Sequence, residues 1–113
     1  MTIIREQIPL ADLDAMAKVQ FGDLVKAVVD IERGIMAVGG ELHSDEEALL
    51  LEDGSRQQHL WGINLLPEAS ADDWIEFDSM INIRPSQGNR SRGVEDAQVR
   101  EKIVGIVRRL VMR

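Results

Sequence analysis

Residues 24–38, LVKAVVDIERGIMAV, decide the fold. Valine and isoleucine crowd both ends of this stretch, and β-branched side chains favour the pleated backbone. Glu32-Arg33-Gly34 interrupts them with a glycine that suits a turn, so the segment reads as a hairpin of strands 24–31 and 35–38. Gly39 and Gly40 then end the second strand, because paired glycines weaken ladder pairing.

Working outward toward the start, Pro9 lacks an amide proton and fits the first turn of a helix. Leu10, Leu13, Met16, Ala17 and Phe21 recur at helical spacing up to Gly22, which predicts a helix over 9–21 preceded by an edge strand in 2–8. On the other side, residues 41–54, ELHSDEEALLLEDG, contain Ser44 and Glu47 in capping-box spacing. We read a helix over 45–52 closed by Gly54. The rival is a strand 48–52 turning at Asp53-Gly54. It is disfavoured because Arg56, Gln57 and Gln58 offer Leu49–Leu51 no apolar cross-strand partner.

Residues 60–66, LWGINLL, read as a buried strand, and 67–73 as an acidic loop. Within 74–84, Ile75, Phe77, Ile81 and Ile83 alternate with Glu76, Asp78, Asn82 and Arg84, which predicts one amphipathic strand. A last helix from Glu95 or Asp96 to about Val111 carries Val99, Ile103, Ile106, Val107 and Leu110 on one face. The expected class is α+β: one domain over 1–113, with a mostly antiparallel sheet of about four strands and the N- and C-terminal helices packed on one face. Trp61 and Trp74 read as packing residues.

Composition narrows the function. The 113 residues are 44% hydrophobic and 29% charged, with a net charge of −7, and no apolar run reaches the roughly 20 residues that a membrane helix needs. The start, MTIIREQIPL, resembles no export leader, so cytoplasm is the expected compartment. The absence of cysteine excludes disulfides and thiolate chemistry. Charge is unevenly spread: residues 1–80 hold 5 Lys and Arg against 17 Asp and Glu, whereas 81–113 hold 8 against 3. An overall acidic chain disfavours nucleic acid, and anion contacts are expected to be local.

The local candidate is the loop after Pro85. Arg84, Ser86, Asn89, Arg90, Ser91 and Arg92, with Glu76, Asp78 and Asn82 on the preceding strand, form an expected surface for a phosphate- or carboxylate-bearing ligand, since guanidinium forks and loop amides suit both anions. The competing structural reading pairs these arginines with the acidic body, for instance around Asp45–Asp53, while serine and asparagine side chains tie down the loop. A partner-binding or homodimeric role for the polar face of 74–84 is the alternative function. A weaker one is a metal-dependent hydrolase built on Glu41, His43 and Asp45, which alternate as ExHxD. His43 beside a glycine pair argues more for a hydrogen-bonding histidine than for a ligand, and His59 beside an apolar strand has the same explanation, so neither metal nor cofactor is expected. No serine lies in a GxSxG context.

The strings VVDIERGIMAVGGELH (28–43), LLLEDGS (49–55), LWGIN (60–64) and FDSMINIRPSQGNRSRG (77–93) occur in order along the chain. Together they resemble a family of short prokaryotic proteins known as a domain of unknown function. The resemblance spans nearly the whole chain. It implies a self-contained domain and carries no activity, substrate or site residue with it.

Overall fold

The computed structural model describes all 113 residues. The hairpin forms as read: strand β3 (Val25–Asp30) pairs antiparallel with β4 (Ile35–Val38). Its turn is fixed by Asp30, whose Oδ1 accepts the Glu32 and Arg33 amides at 2.9 and 3.0 Å, and by Gly34 at φ +69°. Asp30 is fully buried, and Ser55 Oγ donates to its Oδ2 at 2.6 Å. A buried carboxylate with this many donors is satisfied.

Around the hairpin, β1 (Thr2–Ile4) adds to β4, and β5 (Leu60–Leu65) adds to β3 and is followed by β6 (Ile75–Glu76). The resulting five-stranded sheet has the order β1-β4-β3-β5-β6 with every pairing antiparallel. A small parallel pair joins β2 (Ile8–Pro9) to β7 (Val111–Met112), tying the two ends of the chain together.

Period-two alternation divides the sheet residues between two faces. Val25, Ala27, Val29, Met36, Val38 and Ile63 face helices α1 (Leu10–Gln20) and α3 (Ala97–Leu110), which contribute Leu13, Ala17, Ile103, Val107 and Leu110 to the larger core. This is the expected placement of both terminal helices. The opposite face is covered by α2 (His43–Glu52), where Val28, Ile35, Ala37 and Leu60 meet Leu50 in a smaller core. The helix preferred for the ambiguous segment is therefore present. It begins earlier than expected, however: Leu42 is the N-cap, the Asp45 and Glu46 amides donate to its carbonyl, and no side chain caps the end. Ser44 lies inside the first turn, so the capping box is not formed.

The expected strand over 74–84 is corrected to the two residues of β6. Beyond it, Ser79 Oγ accepts the Ile81 amide and starts a 3₁₀ turn over Met80–Asn82, and a second follows at Pro85–Gln87. Asn82 is buried while Ile83 is 38% exposed, the reverse of the alternation read from sequence. The outer edge of β5 is completed by side chains instead. Asn82 Oδ1 accepts the Gly62 amide at 2.8 Å, its Nδ2 donates to the Gly62 carbonyl at 2.9 Å, and the Arg84 guanidinium donates to the Leu60 carbonyl.

Close approach of this segment requires Gly62. A Cβ there would sit 2.5 Å from both Cβ and Oγ of Ser79. Gly62→Ala is expected to destabilise the protein by about 1–3 kcal/mol through this overlap. An unchanged urea midpoint would show that the segment can move aside freely.

Candidate functional site

Most of the predicted loop is engaged in holding itself together. Asn89 is 3% exposed, and its Nδ2 donates to the carbonyls of Asn82, Ser91 and Gly93 at 2.7, 3.1 and 2.8 Å, while its Oδ1 accepts the Glu95 amide. Arg84 lies with its guanidinium carbon 4.2 Å from the Trp61 ring centroid and donates to the Gln57 and Leu60 carbonyls. The amides of Arg90 and Ser91, which could have cradled an anion, already hold the Glu95 carboxylate at 2.6 and 2.9 Å. Those two amides, Ser91 first, keep the Glu95 carboxyl below its ordinary pKa. Ser86 and Arg90 are exposed on the outside of the loop. The acids do not pair as the structural reading expected: Asp53 takes Arg5 and Arg33 at 2.6 and 2.8 Å.

Arg92 behaves differently. Its Nε donates to Asp78 Oδ1 at 2.6 Å, its Nη1 lies 3.6 Å from Met80 Sδ, and the pair reaches into a cleft of about 350 Å³. The floor of that cleft comes from the sheet. Lys26 of β3 and Asn64 of β5 are register partners on the face that α2 only partly covers. Lys26 is the one residue of β3 that is not buried, and it enters none of the molecule's ion pairs. Its ammonium lies 5.1 Å from the Phe21 ring centroid. Asn64 is 7% exposed and donates to Glu76 Oε1 at 2.8 Å, with a longer contact of 3.4 Å to the Asp78 carbonyl, while its Oδ1 has no hydrogen-bond partner.

The uncapped start of α2 forms another wall, contributed by Leu42, His43 and Ser44. Uncapped amides at a helix start favour negative charge. His43 Nε2 sits 2.7 Å from the Ile63 carbonyl, which can only accept, so Nε2 carries the proton. Burial, reinforced by the nearby charges of Lys26 and Arg92, lowers the His43 pKa below its usual value. The ring is therefore neutral near pH 7, with Nδ1 free of a proton. The cleft then contains two fixed cations, Lys26 and Arg92, against one carboxylate, Asp78.

Of the nine predicted binding residues, the structure brings Asp78 and Arg92 into this cleft and sets Glu76 behind its Asn64 floor. Asn82, Arg84 and Asn89 brace the segment that delivers Arg92. Lys26, His43, Ser44 and Asn64 also line the cleft and were not among the predicted anion-binding residues. The signal for Lys26 was its isolation as the only charge in the run 24–29. The metal alternative is corrected: no three His, Asp or Glu side chains are grouped to hold an ion, and Glu41 and Asp45 line a different surface concavity from His43.

These features define a small α+β protein with helices on both faces of an antiparallel sheet and a cationic cleft at the open part of one face. The chain belongs to the family described as "Protein of unknown function (DUF5674)", whose model matches residues 2–110. No curated protein and no solved structure matches it. No helix is long and apolar enough to cross a membrane.

Proposed function

We propose that this protein binds a small anionic ligand in the cleft between the start of α2, the Lys26–Asn64 floor and the 78–92 segment. The carrying observation is Lys26, a half-buried residue that enters no ion pair and lines the same cleft as Arg92. Partial desolvation strengthens attraction for an anion that would be weak at an open surface. Arg92 is pre-oriented by Asp78, which lowers the ordering cost of binding. Among the residues read from sequence, Arg92 supplies charge, Asp78 orients it, and Asn82, Arg84 and Asn89 maintain the loop. Arg90, Ser86 and Ser91 stand outside the contact.

The test is calorimetric titration with acetate and inorganic phosphate at low salt. Lys26→Met, which keeps the apolar stem, and Arg92→Gln should each weaken binding by about tenfold or more. Arg90→Ala should leave it unchanged. Equal losses from Arg90→Ala and Arg92→Gln would return the site to the outer loop, and no heat from either anion with the unaltered protein would remove the proposal.

A further inference from the structure

We infer that the ligand of this cleft is an amphipathic monocarboxylate, a carboxylate headgroup on an aliphatic or aromatic arm of modest size. This rests on the anion-binding reading above and narrows its chemistry. The charge balance of the cleft, two cations facing one carboxylate with a neutral histidine, matches a single negative charge and disfavours a phosphate dianion, whose second charge would meet Asp78.

The second observation is the rim. Phe21, Leu42 and Met80 are 42, 53 and 65% exposed, and with Leu24 and Ile81 they surround the polar floor on the solvent side. Single exposed apolar side chains are ordinary on a protein surface; here three of the chain's exposed large ones meet around one cavity. They come from three separate segments, the end of α1, the start of α2 and the Met80–Asn82 turn. Apolar walls with a few convergent polar groups are the usual composition of a small-molecule site, and about 350 Å³ lies at the small end of such sites. A headgroup between Lys26, Arg92 and the α2 amides places its arm against Leu42 and Met80. Lys26 over the Phe21 ring joins the two halves of the site.

The experiment compares acetate, octanoate, phenylacetate, octan-1-ol and inorganic phosphate by calorimetry with the full chain and with Lys26→Met and a Leu42→Ala, Met80→Ala double variant, alanine adding no oxygen that could cap the α2 amides. Both rim side chains are exposed and neither caps the element it belongs to, so the double variant should fold. Octanoate or phenylacetate is expected to bind at least about tenfold more tightly than acetate. Within the rim variant octanoate should lose its advantage and bind about as acetate does, and Lys26→Met should weaken all carboxylates. If the longer acids bind no better than acetate, this inference fails while anion binding stands. If octan-1-ol binds as tightly as octanoate and Lys26→Met has no effect, both fail. A dimer by light scattering that the rim variant converts to monomer, with octanoate affinity unaltered, would assign the rim to a second copy of the chain and overturn the inference.

Discussion

Asn82→Ala is expected to destabilise the protein by about 3–5 kcal/mol, a large part of the roughly 5–15 kcal/mol that holds a small protein folded. The side chain is fully buried and makes three hydrogen bonds: it accepts from the Gly62 amide and donates to the Gly62 and Arg92 carbonyls. Two of these stand where a neighbouring strand would have continued along β5. Removing the amide leaves a buried N–H and a buried C=O of the sheet unpaired, and an unmade buried hydrogen bond costs far more than a made one contributes. Asn82→Asp should be comparably damaging, because a carboxylate would face two carbonyl oxygens. Urea denaturation monitored by tryptophan fluorescence reads both effects, since Trp61 is in β5 beside Gly62. A loss under about 1 kcal/mol would mean that water replaces the side chain and that the edge of β5 tolerates solvent. Asn82 also holds the Arg92 carbonyl, so the alanine variant should weaken anion binding even where it remains folded.

What the sequence made legible follows from where each signal was local. The hairpin was readable because Asp30, Gly34 and the flanking valines act within a few residues of one another. The stripe Ile103, Val107 and Leu110 was readable because a single helical face went wholly to the core. Residues 74–84 misled because their apolar and polar residues alternate as in a strand, while their decisive contacts run to a distant strand through side chains. Nothing near Asn82 indicates that its amide replaces a backbone, since that depends on where Gly62 lies. The cleft was half readable for the same reason. Arg92 and Asp78 belong to the conspicuous polar stretch, whereas Lys26 and Asn64 become neighbours only through the β3–β5 register. His43 drew notice for its acidic neighbours, but its role is set by the Ile63 carbonyl across the interface between α2 and the sheet.

Glu46→Gln is expected to stabilise the protein above neutral pH and to flatten its stability profile. Glu46 lies on the inner side of α2, fully buried, with Oε2 accepting the Gly40 amide at 3.0 Å and Oε1 without a partner. Gly40 leaves room for it, as a Cβ there would come within 2.7 Å of Glu46 Cγ. Burial pushes this carboxyl from an ordinary 4.5 to about 9, against the opposing pull of the Gly40 amide. The folded protein therefore keeps the proton near pH 7 and the unfolded chain gives it up. Stability from this group is present below about 4.5 and declines as pH rises toward about 9, since the folded state binds more protons across that window. His43 contributes with the opposite sign: its lowered pKa means that stability rises as pH climbs through the unfolded histidine value. The difference between the two proteins isolates Glu46, because both retain His43. Glutamine preserves shape and the acceptor for Gly40 but cannot ionise, so the variant should match the parent near pH 4 and exceed it by roughly 2–4 kcal/mol at pH 8. Denaturation curves across this range decide the matter. Parallel profiles for the two proteins would mean that Glu46 is ionised in the fold, with water reaching its second oxygen.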